Sequence, residues 1–188
     1  LKKLARYLRG HTHVVQLFPW QGLVGTLDAR IDSNHAGCIR TRKSTTGVST
    51  MYGQCCTRVM CKGQGVIALS SGESEYYGLT IGMSTLLGDV AMARDWNVDL
   101  KPRAILDAST GIAIGSRRGL GAVKHIDTVF LWCQEKVNSG MVQLLKRSTH
   151  EMLSDMMTKP LAAAEIKKFM AGMNYHFRPG RHRLALGA

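Results

Sequence analysis

A long helix beginning near Ser70 is the feature that most constrains the fold of this chain. Ser70 followed three residues later by Glu73 fits a capping box, in which hydroxyl and carboxylate each bind a free backbone amide of the first turn. Apolar residues then recur in steps of three and four, at Leu79, Met83, Leu86, Val90 and Ala93. This spacing predicts an amphipathic helix that ends near Trp96 and buries one face.

The length and composition suit one folded domain. The chain has 188 residues, of which 45% are hydrophobic and 20% are charged, as in ordinary globular proteins. No apolar run approaches the roughly 18 residues that a membrane-spanning helix requires, and the basic start lacks the apolar core of a signal peptide. We therefore expect a soluble intracellular protein, located in the cytoplasm or in the nucleus.

The net charge of +12 is unevenly distributed along the chain. Residues 1–60 carry 9 basic and 2 acidic side chains, residues 61–100 carry 2 and 5, and residues 101–188 carry 14 and 6. Basic flanks around an acidic centre are expected where phosphate-binding surfaces surround a carboxylate-lined site. A generic basic surface is the alternative explanation.

Extended segments alternate with helical ones in the rest of the chain. Strands are predicted at 23–31, 48–52, 55–62, 103–107 and 141–145, and further helices at 1–9, 108–114, 126–140, 153–157 and 162–173. Three consecutive strands followed by a helix indicate an antiparallel meander backed by that helix. The end, 174–188, is basic and contains two glycines, and it is predicted to be a loosely ordered tail.

The five cysteines do not indicate a metal site. Cys55, Cys56 and Cys61 lack the paired C-x-x-C spacing of zinc ligands, and they lie in a predicted strand. Because their total number is odd and nothing indicates secretion, we expect reduced thiols and no structural zinc.

Four acidic residues stand at the ends of different predicted elements. Asp32 and Asp107 end strands, whereas Glu75 and Asp155 lie at the starts of helices. If these elements lie side by side, their carboxylates repel one another unless cations bind between them, and hard oxygen ligands suit Mg²⁺ or Mn²⁺. Two such ions about 4 Å apart support phosphodiester cleavage. Solvated acids that cap strand and helix ends are the alternative.

Several short stretches carry a family resemblance. They are 32–38 with 41–47, 68–76, 106–107, 124–127 and 155–161. In this order and spacing they resemble the ribonuclease H domain of copia-type LTR retrotransposon polyproteins. The resemblance implies a connecting helix and linker from a reverse transcriptase region in 1–22, a ribonuclease H-like domain in 23–161, and a C-terminal helix and basic tail in 162–188.

The resemblance also implies a fold and an activity. The fold is α/β, with a mixed five-stranded sheet of three antiparallel strands and then two more, flanked by helices. The activity is cleavage of the RNA strand of RNA:DNA hybrids during retrotransposon reverse transcription, with the reverse transcriptase region of the same polyprotein as a partner. Two Mg²⁺ ions, replaceable by Mn²⁺, would be bound by the catalytic residues Asp32, Glu75, Asp107 and Asp155.

The nucleic acid is expected to meet the basic loops. Their proposed contact residues are Arg40, Arg42, Lys43, Arg117, Arg118, Lys124 and His125. For His125, a plain histidine at a helix start is the alternative. His150 is a weaker candidate, because it lies only five residues before Asp155 and a surface position explains it equally well.

The chain departs from the family pattern at Asn34 and His35, where aspartate and tryptophan are usual. The central helix also carries glycine where alanine is common, at Gly72, Gly78, Gly82 and Gly88. Each interior glycine costs about 1 kcal/mol relative to alanine. Either the helix packs very closely there, or the domain has decayed and only binds nucleic acid. A small interaction module stapled by zinc is the second alternative.

Overall fold

A five-stranded mixed sheet lies at the centre of the computed structural model, which describes residues 2–121 and 124–180. In chain order, the helices and strands of this part are α1 (Lys2–Gly10), β1 (Val14–Gln16), β2 (Thr26–Ser33), β3 (Thr45–Tyr52), β4 (Cys55–Gly63), α2 (Ser71–Asp95), β5 (Lys101–Leu106), α3 (Ser109–Ser116), α4 (Trp132–Asn138), β6 (Gln143–Lys146), α5 (Asp155–Thr158), α6 (Ala163–Gly172) and β7 (Tyr175–Phe177). Short 3-10 turns lie at Thr128–Leu131 and Thr149–Glu151.

The strands of the large sheet lie in the order β4-β3-β2-β5-β6. β2, β3 and β4 are antiparallel neighbours, whereas β5 pairs parallel with β2, and β6 pairs parallel with β5. Parallel neighbours require crossover connections, which α2 supplies before β5 and the segment with α3 and α4 supplies before β6. The predicted fold class, with three antiparallel strands and then two more, is confirmed.

Helix α2 packs against β2, β3 and β5 and buries the predicted apolar stripe. Its first turn is capped by the Ser70 hydroxyl, which accepts a hydrogen bond from the Glu73 amide at 3.2 Å. The predicted capping box is only half correct. The Glu73 carboxylate accepts a hydrogen bond from the Leu69 amide at 3.1 Å instead of reaching the amide of Ser70.

Close packing explains three of the four glycines in α2. A Cβ at Gly78 would overlap a side chain of β2, and a Cβ at Gly82 would overlap Ile31 of the same strand. Gly72 packs against α3 in the same way, whereas Gly88 is exposed and meets no other described residue within 4 Å. Three of the glycines therefore allow α2 to approach its neighbours closely, which accounts for those three without decay of the domain.

The helix predicted at 126–140 begins later than expected. Asp127 accepts a hydrogen bond from the Val129 amide at 3.2 Å, which caps the 3-10 turn Thr128–Leu131. The α-helix begins only at Trp132. Ile126 is buried but precedes both the 3-10 turn and the α-helix. The apolar spacing was correct for burial but not for the helix start.

A second, smaller apolar cluster anchors the C-terminal segment. It consists of Met51, Cys56, Leu153, Phe169 and Met173. β7 pairs antiparallel with β1, and the ring of Phe177 meets that of Tyr7 of α1 edge-on at 6.5 Å. The prediction of a loose tail is therefore wrong for residues 175–177, because half-buried side chains and a strand partner fix them. Residues 181–188 lie outside the described part of the chain.

Two further predictions concern the whole chain. All five cysteines are free thiols, as predicted. Across residues 2–121 and 124–180, no helix combines the length and apolar character that crossing a bilayer demands.

Replacement by alanine should have opposite effects on stability at an exposed and at a closely packed glycine of α2. Gly88→Ala should raise the free energy of unfolding by about 1 kcal/mol, because alanine lowers the entropy of the unfolded chain and meets no neighbour. Gly82→Ala should lower it by about 1–3 kcal/mol, because the new methyl group displaces the buried Ile31. Urea denaturation of both variants measures this, and equal effects would contradict the close approach of α2 and β2.

Candidate metal centre

Three of the four predicted acids converge from separate elements. Asp32 lies one residue before the end of β2, Asp107 directly follows β5, and Asp155 is the first residue of α5. One carboxylate oxygen from each of the three lies within 4.8 Å of the others. Glu75, in the second turn of α2, is coupled to this group, since the charges of Asp32 and Asp107 act on its carboxyl.

Burial and mutual repulsion raise the pKa of two of these acids. Burial, followed by the charges of Asp32 and Asp107, raises the pKa of Glu75 to about 8. Burial, followed by the charge of Asp32, raises the pKa of Asp155 to about 6. At neutral pH and without a cation, the carboxyl group of Glu75 is therefore mostly protonated.

Neighbouring side chains compensate part of the negative charge. The Lys159 ammonium lies 3.5 Å from Oδ1 of Asp32 and 3.2 Å from Oδ2 of Asp155. The hydroxyl of Thr158 donates to Asp32, and that of Thr149 donates to Asp107 at 2.9 Å. Burial lowers the pKa of the Lys159 ammonium, but the neighbouring carboxylates raise it by more, so the net shift is upward.

The departure at Asn34 has a structural explanation. Its Nδ2 donates to the Thr158 carbonyl at 2.9 Å, and its Oδ1 accepts from the Thr45 amide at 2.7 Å. Aspartate lacks the N–H that the first of these bonds requires. Asn34 thus ties α5, which carries Asp155, to the start of β3 without adding a charge. His35, the second departure, contacts the Ala68 carbonyl at 3.2 Å.

The donor set fits a divalent cation. Oε2 of Glu75 and Oδ1 of Asp155 are buried, and within the described part of the chain neither has a hydrogen-bond partner. A buried carboxylate oxygen without a donor is costly, and a hard cation would satisfy it. The four acids offer only oxygen ligands, which is the chemistry of Mg²⁺ and Mn²⁺ sites.

The predicted nucleic-acid contacts lie in two basic loops. Arg40, Arg42 and Lys43 lie between β2 and β3, whereas Arg117, Arg118, Lys124 and His125 lie between α3 and the 3-10 turn at Thr128. Lys43 donates to the Gly65 carbonyl at 2.6 Å and Arg117 donates to the Leu120 carbonyl, so both also stabilise loop structure. Contact of these residues with nucleic acid remains a prediction.

Sequence reasoning missed the roles of several neighbours of the acids. Lys159, Thr158 and Asn34 all fall inside the stretches that carry the family resemblance, yet their side chains were not assigned contacts with the acids. The signal was present for Lys159, because a lysine four residues after Asp155 lies on the same face of a helical turn.

The raised pKa of Glu75 predicts a pH dependence of stability. Because the folded pKa is about 8 and the ordinary value is 4.5, the folded state binds the proton more tightly. Its stabilising effect is complete below about pH 4.5 and is lost as the pH rises to about 8. In a chelator, the free energy of unfolding should therefore fall over this range. Glu75→Gln should remove on the order of 1–2 kcal/mol of the decline between pH 5 and 7. Parallel profiles in urea titrations would contradict the shift.

Lys159→Met tests the compensating ammonium while preserving the aliphatic chain. In a chelator, the free energy of unfolding of the variant should be about 1 kcal/mol lower than that of the parent. The difference is small because the lysine side chain is 39% exposed. The affinity of the variant for Mg²⁺ should rise, because the cation no longer competes with the ammonium. Isothermal titration with Mg²⁺ measures this, and Lys62→Met, on exposed β4, is the matched control. Weaker Mg²⁺ binding than in the control would contradict the competition.

Comparisons with known proteins identify sequence relatives. The chain is 30% identical over 183 residues to the retrovirus-related Pol polyprotein from transposon TNT 1-94 of Nicotiana tabacum, which covers 93% of the chain and 13% of the polyprotein. It is 27% identical over 172 residues to the Pol polyprotein from transposon RE2 of Arabidopsis thaliana, covering 90% of the chain and 12% of that polyprotein. No family model matches the sequence.

One solved structure matches the chain at a low level of similarity. The N-terminal ribonuclease H domain of Rv2228c from Mycobacterium tuberculosis, solved as a fusion with maltose-binding protein, matches with a TM-score of 0.48 and 14% identity. The match covers 72% of this chain and 91% of that one. The chain is thus related in sequence to retrovirus-related Pol polyproteins of plant transposons, and it spans only 13% and 12% of the length of these two relatives.

Proposed function

We propose that the chain is the ribonuclease H domain of a copia-type retrotransposon polyprotein, an endonuclease that cleaves the RNA strand of RNA:DNA hybrids with two Mg²⁺ ions. The observation that carries this proposal is the cluster of Asp32, Asp107 and Asp155, whose carboxylate oxygens lie within 4.8 Å of one another beside buried Glu75. Relationship to Pol polyproteins supports the same activity, because reverse transcription produces such hybrids.

The side chains divide the chemistry between them. Asp32, Glu75, Asp107 and Asp155 would bind the ions, which supply an activated water and stabilise the leaving oxygen. Thr158 and Thr149 orient the carboxylates of Asp32 and Asp107 through their hydroxyl donors. Asn34 fixes the position of α5 and hence of Asp155. These contacts hold the ligands in place before the substrate arrives, which is the arrangement that efficient metal-assisted hydrolysis requires.

The charge distribution supports a polyanionic substrate. The chain carries a net charge of +12, and the two loops with the predicted contact residues are rich in arginine and lysine. Such a surface binds the phosphate backbone without reading its sequence, so the affinity should fall steeply with salt. The remainder of a Pol polyprotein, with its reverse transcriptase region, is the proposed partner, and a retrotransposon particle in the cytoplasm is the proposed location.

The alternative function is binding of nucleic acid without cleavage. The glycines of α2 suggested it, but their close contacts give three of them a structural role. Incubation of the chain with labelled RNA:DNA hybrid, duplex RNA and duplex DNA, with and without Mg²⁺, separates the two functions. Cleavage of the hybrid alone, and only with the metal, supports the nuclease. Tight binding without cleavage in either Mg²⁺ or Mn²⁺ supports the binding module.

Asp107→Asn distinguishes a metal ligand from a structural cap. Asparagine can still accept the hydrogen bond of Thr149 but lacks the charge, so metal binding and cleavage should fall by at least about 100-fold. The fold without metal should be as stable as that of the parent or more so, because repulsion within the cluster is relieved. Cleavage assays with Mg²⁺ and thermal unfolding in a chelator measure the two effects.

The control is Asp99→Asn, which changes a carboxylate that is 90% exposed. It should alter neither measurement. Cleavage by Asp107→Asn close to the rate of this control would contradict the assignment of Asp107. Hybrid binding in a chelator, measured on both variants, should remain, because the phosphates are expected to meet the basic loops.

A further inference from the structure

Glu73 is a buried carboxylate that the proposed metal centre does not use. Its side chain is 1% exposed and accepts three hydrogen bonds. The donors are the Leu69 amide at 3.1 Å, the Tyr77 hydroxyl at 2.5 Å and Nε2 of His125 at 3.0 Å. Because His125 follows 52 positions later in the chain, this contact does more than cap a helix.

The contact with His125 anchors one half of a loop. Residues 117–121 and 124–127 form the second of the two basic loops, with Arg117, Arg118 and Lys124 in it. Its first half is fixed by the buried side chain of Gln134, which accepts from the Gly119 amide at 2.8 Å and donates to the Gly119 carbonyl at 3.1 Å. Its second half is fixed by the bond from His125 to Glu73 and by burial of Ile126.

The position of Glu73 connects this loop to the metal centre. Glu73 and Glu75 lie two residues apart in the first turns of α2, so one rigid helix start carries both the anchor and a proposed metal ligand. The carboxylate of Glu73 is shielded from solvent, whereas the His125 side chain is 47% exposed. Lys124 beside it is exposed as well.

The imidazole of His125 has one nitrogen free for a ligand. Nε2 faces Glu73, and among the described residues Nδ1 makes no hydrogen bond. When the imidazole is protonated, both of its nitrogens are donors, so Nε2 can bind the carboxylate of Glu73 while Nδ1 donates to an anion. A phosphodiester oxygen is an anionic acceptor of the kind that such a donor and a neighbouring ammonium recognise together.

We propose that Glu73 is a positioning residue for hybrid binding, which acts by holding His125 so that His125 and Lys124 contact the phosphate backbone. The inference rests on the proposed function, and it assigns to the neighbouring acid of the helix a role apart from metal binding. Glu73 itself touches neither substrate nor metal in this arrangement. Its effect passes through one hydrogen bond.

The test is a double-mutant cycle on the full chain with a labelled RNA:DNA hybrid, carried out in a chelator so that cleavage is not needed. Glu73→Gln and His125→Ala should each weaken binding about tenfold. The double variant should bind no more weakly than the poorer single variant, because each change alone abolishes the charge-assisted contact between a carboxylate and a protonated imidazole. With Mg²⁺ present, the loss should appear as a raised KM, and titration with Mg²⁺ alone should give the parent's affinity.

Tyr77→Phe is the matched control. It removes one donor from Glu73 but keeps the bond to His125, so thermal stability should fall as in Glu73→Gln while hybrid affinity stays within about twofold of the parent. A merely structural role of Glu73 would make the two variants bind alike. That result would overturn the inference.

Other outcomes are equally decisive. Unchanged affinity in Glu73→Gln and His125→Ala, or additive losses in the double variant, would overturn the role of Glu73 and leave the nuclease standing. A parent chain that binds no hybrid would remove both the proposed function and this inference. If Glu73→Gln fails to fold, Glu73→Asp, whose shorter side chain cannot reach His125, takes its place in the cycle. Unchanged affinity then overturns the inference, and a loss to which His125→Ala adds nothing supports it.

Discussion

The repulsion among four clustered carboxylates is the constraint on which the rest of this structure depends. Asp32, Glu75 and Asp155 are buried and Asp107 is half-buried, so water cannot screen their charges well. The fold responds in three ways: an ammonium beside two of the acids, hydroxyl donors to two of them, and a proton retained on Glu75. Such a site favours cations strongly, because each of these compensations is weaker than a divalent ion between the ligands.

The approach of α2 to the sheet brings Glu75 to the other acids. Side chains normally separate a helix from the sheet on which it packs, but glycine at positions 78 and 82 removes those side chains where α2 faces β2. Close to the same helix, a Cβ at Gly111 of α3 would lie 3.1 Å from the Cβ of Glu75. Small residues on two elements therefore fix the position of this carboxylate. The glycines lower the intrinsic helix propensity of α2, but they give Glu75 a defined position.

Sequence periodicity could predict the elements but not most contacts between them. The stripe from Leu79 to Ala93 and the strands of the meander are local patterns, and the structure confirms them. Acids at strand ends and helix starts could be expected to meet, since ordered elements bring such ends together. The pairing of β1 with β7 joins segments near opposite ends of the chain, and the Glu73–His125 bond joins residues 52 positions apart. Neither leaves a periodic signal, which is why the ordered part of the tail and the contact of Glu73 with His125 were not predicted.

The two basic loops share elements with the carboxylates, and this arrangement has a physical consequence. The first loop, with Arg40 and Arg42, continues from β2, which carries Asp32. The second loop is held by the hydrogen bond from His125 to the start of α2, the helix that carries Glu75. If a substrate binds to these loops through its phosphates, as proposed, the elements that carry both the loops and the acids would place it relative to the ligands. Rate enhancement depends steeply on such placement, because a displacement of about 1 Å can cost about 100-fold. Contacts that read no base sequence would thus still determine which phosphodiester bond reaches the metal centre.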